Sequence, residues 1–219
     1  TCQLKSPGSY VILEHFADNS EEIELSNYGM MLWGNNVSQY EEAAMGFVAN
    51  SNFEGNLFTV RGWSQPHLIG YMESHDEERV MYKNLQFGNA SGSYNVKDLN
   101  TALRRIELTG SFFYMMPGPK MLWQFGELGY DYSINYCPDG TVNANCRTAI
   151  KPIRWDYQSI VNRQRIYDVF GALNKLRVHP WFKNNFTSNR IGRSLGGAFK
   201  WLQITTDTSN ICVIGNFDV

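Results

Sequence analysis

Apolar residues along the chain fall into continuous runs and into helical stripes that alternate with one another. Four runs predict buried parallel strands, at 9–16, 29–36, 67–76 and 119–129. The first leads into an acidic segment, and the other three end in Asn, Asp or Gly. Apolar positions at helical spacing predict three helices, at 37–50, 96–116 and 159–182. This alternation favours an α/β fold in which helices cover a parallel sheet.

Local signals predict where some of these elements begin and where loops lie. Ser38 stands at an N-cap position with Glu41 three residues later, which is a capping-box pattern. Leu99 begins the apolar stripe expected for the second helix. The acidic segment 17–27 and the Asn-, Gly- and Ser-rich segment 84–95 are predicted to be loops.

Residues 190–219 differ in sequence pattern from the rest of the chain. They contain two short β-rich runs, 198–205 and 210–217, with a turn and no helix between them. That pattern is typical of antiparallel strands. We therefore expect two units, an α/β part at 1–186 and the start of an all-β domain at 187–219.

The composition excludes several classes of protein. With 219 residues, 43% of them hydrophobic and 18% charged, the chain can bury a core and is not a disordered segment. The net charge of −2 gives no electrostatic signal for nucleic-acid binding. No apolar run reaches the roughly 18 to 20 residues of a membrane span. The chain starts without Met or a leader pattern, so we expect a piece of a longer polypeptide.

The cysteines do not form a metal-binding pattern. All four lack C-x-x-C spacing, so no zinc centre is expected. Cys137 and Cys146 bracket a turn-rich loop. A disulfide there would stabilise the fold by about 2 to 3 kcal/mol in the chain-entropy account, and two free thiols are the alternative. The sequence leaves both states open.

Two predicted strands end in residues that can carry chemistry. Four strand–helix units would make half of a (β/α)₈ barrel, whose active sites lie at the C-terminal ends of the strands. One such end is VILEHF, with Glu14, and the other is GYMESHDEER, with His75 and Asp76. The second resembles the strand-seven motif of the alpha-amylase family (glycoside hydrolase family 13), in which an apolar strand ends in Asn-His-Asp. Ser74 occupies the Asn position here.

The other strands fit the same family in order and spacing. VILEHF resembles the strand-five motif that ends in the catalytic acid, while GMMLWGNN and PGPKMLWQFGELGYD resemble strands six and eight. The resemblance covers the whole chain and implies the C-terminal half of a (β/α)₈ TIM barrel followed by the beginning of an antiparallel β-sandwich. It also implies a retaining mechanism on α-glucans such as starch, glycogen and maltooligosaccharides.

The resemblance assigns roles to three residues. Glu14 would be the general acid and base, Asp76 would bind ring hydroxyls and support the oxocarbenium-like transition state, and His75 would hydrogen-bond the same sugar. The strand-four nucleophile Asp has no counterpart in this sequence, so the chain alone is expected to be inactive. No cofactor or metal is expected in this part, and any calcium would belong to the half of the barrel that the sequence does not include.

Alternatives from other classes remain. One is a non-catalytic relative that serves as a carbohydrate-binding or scaffold module. Another is an unrelated (β/α)₈ hydrolase with a metal on His75 and Asp76, disfavoured because His15 and His67 lack ligand spacing. The expected partner is an α-glucan, with no nucleic acid or membrane, and a homodimer would cover the exposed half-barrel. Family habit and the candidate disulfide favour a secreted or periplasmic location.

Overall fold

Residues 2–219 are described in the computed structural model of the chain. The α-helices are α1 (Cys2–Lys5), α2 (Asn19–Asn27), α3 (Val37–Met45), α4 (Val80–Phe87), α5 (Leu99–Met115) and α6 (Val161–Val178). The strands are β1 (Ile12–Leu13), β2 (Met31–Asn35), β3 (Leu68–Tyr71), β4 (Ala90–Ser91), β5 (Tyr94–Asn95), β6 (Ile191–Ser194), β7 (Phe199–Thr205) and β8 (Asn210–Asn216). Short 3₁₀ turns lie at Val48–Asn50, Glu54–Asn56, Gly126–Leu128, Ala144–Cys146, Trp155–Ser159 and Lys183–Thr187. The predicted α/β class is confirmed.

Three parallel strands form the sheet that positions the site. Their order is β1–β2–β3, with Ile12 opposite Met31 and Leu32 opposite Leu68. Helices connect the strands, as parallel pairing requires. None of the helices within residues 2–219 is long and apolar enough to cross a bilayer.

The predicted strand at 119–129 is wrong as a regular strand. Within this segment, only Lys120 forms a parallel bridge, with Gly70 of β3. The Gly70 N–H donates to the Pro119 carbonyl, and the Met121 N–H donates to the Gly70 carbonyl. Pro119 has no N–H to donate, and the chain leaves the sheet for the 3₁₀ turn Gly126–Leu128. The segment still runs beside β3 in the predicted direction.

Two predicted loops contain helices. Segment 17–27 holds α2, where Asp18 is the N-cap and its Oδ1 accepts the Ser20 N–H at 2.9 Å. Because α2 has no apolar stripe, the periodicity gave no signal for it. Segment 84–95 holds the second half of α4 and the hairpin β4–β5.

Helix α3 starts at residue 37 as predicted, but the predicted capping box is wrong. The Ser38 hydroxyl donates to Gln39 rather than capping the helix, and the Val37 N–H is accepted by Asn35 Oδ1 at 3.2 Å. Glu41 faces Lys83 of α4 at 3.7 Å instead of reaching back to the N-terminus. Leu99 is 43% exposed and lies outside the buried stripe of α5.

One hydrophobic core joins the helices to the C-terminal strands. Strands β6–β7–β8 form an antiparallel sheet in chain order. Its buried residues belong to the same cluster as those of α3, α5 and α6, including Tyr40, Phe112, Phe113, Phe170 and Phe217. The Arg105 guanidinium of α5 fixes this junction by donating to main-chain carbonyls of Ala43 and Phe217.

Candidate active site

The ends of β1 and β3 bring together all three predicted site residues. Glu14 follows β1 directly, and His75 and Asp76 lie in the turn after β3. Both strands pair with β2, so their C-terminal ends lie at the same edge of the sheet. One side-chain ligand atom from each of Glu14, His75 and Asp76 lies within 4.8 Å of the others, and all three residues are exposed.

A small cleft of about 70 Å³ opens at this edge. Besides the three predicted residues, it is lined by Trp33, Tyr71 and Met121. The Trp33 and Tyr71 rings meet edge-on with their centroids 5.7 Å apart. Burial raises the pKa of Tyr71, and the nearby carboxylates raise it further, so its hydroxyl remains a hydrogen-bond donor. The cleft thus combines aromatic surface, a hydroxyl donor and carboxylates.

Ser74 orients the turn that carries Asp76. Its hydroxyl accepts the Asp76 N–H at 3.0 Å and donates to Glu77 Oε2. The other oxygen of Glu77 accepts from Asn35 Nδ2 at 2.7 Å, which ties the turn to the end of β2. A serine at this motif position therefore has a defined structural role. The sequence did not predict that Glu77 would pair with Ser74, or that Asn35 would pair with Glu77.

Glu73 and Arg79 hold the same turn from the interior. Both residues are only 5% exposed. Glu73 Oε2 accepts the Val80 N–H that begins α4, at 2.9 Å, and Arg79 donates to the Ser74 carbonyl. Burial raises the pKa of Glu73 to about 7, although Arg79 opposes this shift. The Arg79 guanidinium also lies 5.8 Å from the centre of the Trp123 ring.

His75 and Asp76 contact each other and residues distant in the chain. His75 Nε2 lies 3.3 Å from Asp76 Oδ2, and the His75 ring lies 5.8 Å from that of Trp123. Arg147 approaches Asp76 from the other side, with Nη2 at 3.5 Å from Oδ1, and donates to the Asp76 carbonyl. Sequence patterns did not indicate Arg147, because 71 residues separate it from Asp76.

Arg147 follows a disulfide directly. Cys137 and Cys146 are bonded, which settles the question that the sequence left open. Cys2 and Cys212 are free and exposed. The bridged loop lies between the 3₁₀ turn Gly126–Leu128 and α6, and it packs over the turn after β3.

The three site residues also have the chemistry of metal ligands. Glu14, His75 and Asp76 offer two carboxylate oxygens and one imidazole nitrogen in one place. Such a mixed set is compatible with a transition-metal ion. All three groups face solvent, where carboxylates and histidines commonly cluster without a metal.

Comparison with known proteins identifies the fold. Neither protein-family models nor curated protein sequences match this chain. Solved structures do, and one is the catalytic module of the glycogen-degrading pneumococcal virulence factor SpuA, with a TM-score of 0.73 at 13% identity over 99% of this chain and 41% of that one. Another is AmyP in complex with maltose, with a TM-score of 0.64 at 15% identity over 95% of this chain and 45% of that one.

A third similar structure is the alpha-amylase from H. orenii, with a TM-score of 0.60 at 12% identity over 97% of this chain and 44% of that one. The chain thus spans less than half the length of each of these proteins. The resemblance predicted from the strand-end motifs is confirmed in three dimensions: over nearly its whole length, this chain has the fold of part of an alpha-amylase family enzyme.

Proposed function

We propose that this chain is part of the catalytic domain of a retaining glycoside hydrolase or transglycosylase acting on α-glucans such as starch, glycogen and maltooligosaccharides. It would contribute the C-terminal half of a (β/α)₈ barrel and the start of a β-sandwich. One observation carries the proposal: Glu14, His75 and Asp76 converge within 4.8 Å at the end of a parallel sheet. The similar structures support it, since they include a glycogen-degrading module and a maltose complex.

In the proposed mechanism, this chain supplies the general acid and base, and strand four of the barrel, outside residues 1–219, supplies the nucleophile. A nucleophilic carboxylate from strand four would attack the anomeric carbon while Glu14 protonates the leaving oxygen, and Glu14 would then take a proton from the water that releases the sugar. Asp76 would accept hydrogen bonds from ring hydroxyls, and His75 would donate one. Because residues 1–219 have no counterpart of the nucleophile, the chain alone would be inactive.

Trp33 and Tyr71 would complete the sugar-binding surface. The two rings line the cleft beside Glu14, where an aromatic face can pack against the apolar face of a glucose ring. The protonated Tyr71 hydroxyl would donate to a sugar oxygen.

The Cys137–Cys146 disulfide supports a secreted or periplasmic location, because disulfides persist in oxidising compartments.

The test is α-glucan hydrolysis by a parent polypeptide extended N-terminally through the preceding strands. Glu14→Gln should lower kcat by about a hundredfold or more, since general acid–base catalysis contributes about that much. Asp76→Asn should also lower kcat, because the carboxylate would no longer support the oxocarbenium-like transition state. Asp207→Asn is the matched control, because Asp207 is an exposed aspartate far from the cleft whose side chain is 94% accessible.

Other outcomes would favour the alternatives. A folded parent that binds maltooligosaccharides without turning them over would be a carbohydrate-binding or scaffold module. Stoichiometric zinc or manganese in the purified protein, lost in the His75→Ala variant, would favour the metal-dependent hydrolase and contradict the proposed roles.

The isolated 219-residue chain is proposed to self-associate. The face of the sheet lined by Ile12, Met31, Trp33 and Ile69 borders an open apolar groove of about 620 Å³, and exposed apolar surface of this kind drives association. Sedimentation should show dimers or larger species, and Ile12→Lys should shift the population towards monomer. A stable monomer of the unmodified chain would contradict the proposal.

A further inference from the structure

We propose that Arg147 is a positioning residue for Asp76, and that the Cys137–Cys146 disulfide holds Arg147 in place. This inference rests on the proposed function, because Asp76 is the carboxylate that would bind the sugar. It assigns a role in the site to a loop outside the strand-end motifs.

Arg147 contacts Asp76 at two atoms with one guanidinium nitrogen. Nη2 donates to the main-chain carbonyl and lies 3.5 Å from the carboxylate oxygen Oδ1. The second carboxylate oxygen, Oδ2, lies 3.3 Å from His75 Nε2. The Asp76 carboxylate therefore has a cation on one side and an imidazole on the other, which restricts its rotation about the Cβ–Cγ bond.

A salt bridge alone would not hold this geometry. The side chains of Arg147 and Asp76 are 48% and 53% exposed, and exposed ion pairs between mobile side chains contribute little free energy. The contact is effective only where the backbone that carries the arginine is already ordered, because that ordering costs conformational entropy. Arg147 meets this condition because its neighbour Cys146 is covalently tied to Cys137.

The segment that leads into the disulfide-closed loop is anchored to the turn that carries Asp76. Both carboxylate oxygens of Glu78 are used: Oε2 accepts from the Ser133 hydroxyl at 2.6 Å and Oε1 from the Ile134 N–H at 2.7 Å. On the far side, Lys151 Nζ donates to the carbonyls of Tyr136 and Cys146, at 3.0 and 2.6 Å. The loop and the turn after β3 therefore form one hydrogen-bonded unit.

Asp76 lies between two open spaces, and Arg147 borders one of them. Together with His75, it lines both the cleft beside Glu14 and a second groove of about 480 Å³. Trp123 and Arg147 line that groove but not the cleft. Arg147 thus reaches Asp76 from the side away from Glu14, where it can orient the carboxylate without blocking the cleft.

The experiment measures maltooligosaccharide binding by the extended parent polypeptide, using titration calorimetry. Arg147→Ala should raise Kd about tenfold, as expected for losing one charge-assisted hydrogen bond. Arg147→Lys keeps the charge, but its shorter side chain ends in a strongly hydrated ammonium in place of the Nη2 nitrogen, so its Kd should rise only about threefold. Arg190→Ala is the matched control, because Arg190 pairs with exposed Asp207 on the C-terminal sheet and should leave Kd unchanged.

A double-mutant cycle separates positioning from a direct or purely structural role. If Arg147 acts through Asp76, then Arg147→Ala should change Kd less than twofold when made on top of Asp76→Asn. The Cys137→Ser/Cys146→Ser variant should weaken binding about as much as Arg147→Ala, with a thermal midpoint that still shows cooperative unfolding. If the double-serine variant does not fold, Arg147→Lys and the cycle still decide.

Two results would overturn the inference alone: unchanged binding by Arg147→Ala while the unmodified parent binds, or an equal tenfold loss in the Asp76→Asn background. An unmodified parent that binds no maltooligosaccharide would overturn the proposed function and this inference with it. The two failures are therefore distinguishable by the behaviour of the unmodified protein.

Discussion

The two faces of the parallel sheet differ sharply in how they are covered. On one face, Leu32 and Leu68 are fully buried in a cluster with Phe58 and Trp63. On the other face, Ile12 is 47% exposed and borders the open groove. Because alternate residues of a strand point to opposite faces, the same three strands build both surfaces. The chain therefore completes its folding core on one face and leaves the other, next to the candidate site, open.

Truncating one side chain on each face of the sheet should give the largest difference in the free energy of unfolding. Leu32→Ala removes a side chain with 0% exposure and should lower the free energy of unfolding by about 2–5 kcal/mol. Ile12→Ala, on the open face, should cost less than about 1 kcal/mol in the monomeric chain, at concentrations below those at which it self-associates, since little contact is lost there. Urea unfolding monitored by tryptophan fluorescence gives both values. An equal cost at Ile12 would show that the open face is covered in solution.

The contact between α5 and α6 should not tolerate a larger side chain. A Cβ at Gly110 of α5 would lie 2.2 Å from Cε1 of Phe170 in α6, so the two helices pack at closest approach there. Gly110→Ala should therefore destabilise the fold by about 1–3 kcal/mol. Gly171→Ala in α6 is the matched control, because a Cβ there meets nothing within 4 Å and should stabilise the helix by up to about 1 kcal/mol. Destabilisation at Gly171 of the same size would contradict this account of the packing.

The strand ends could be predicted from the sequence because they depend on local pattern. An apolar run followed by a polar residue marks the edge of a parallel sheet, and this places Glu14 and Asp76 at the same edge once the strand order is known. The antiparallel pair after residue 190 could be predicted for the same reason, and β7 and β8 lie within the two predicted runs, whereas β6 was not predicted.

The features that the sequence did not predict correctly lack a local pattern or depend on contacts between distant residues. Helix α2 is held by its Asp18 cap and has no apolar stripe, so a search for periodicity cannot find it. The segment after Pro119 is a long apolar run, but it leaves the sheet after one bridge. Asn35 and Arg147 act on the turn after β3 through contacts 42 and 71 residues apart, and no local motif encodes such contacts.

Glu73 lies behind the site turn, and its ionisation should make the stability of the fold depend on pH. An unperturbed glutamate has a pKa of 4.5, whereas burial raises the pKa of Glu73 in the folded chain to about 7. Between these values the folded state holds a proton that the unfolded state has released. Stability from this group is therefore complete below about pH 4.5 and is lost as the pH rises towards 7.

The Glu73→Gln variant tests this pH dependence directly. Its amide oxygen can still accept the Val80 N–H, so the start of α4 keeps its partner while the titration disappears. Between pH 4.5 and 7, the unmodified chain should lose about 2–3 kcal/mol more stability than the variant, measured by urea unfolding at each pH. Glu41, whose pKa is also raised to about 7 by burial, titrates in both proteins, and because the Glu73 charge contributes only a minor part of that rise, Glu41 adds little to the difference. Parallel pH profiles would show that Glu73 gains no protonation on folding, and the turn that carries Asp76 would then rest on an ionised carboxylate in the interior.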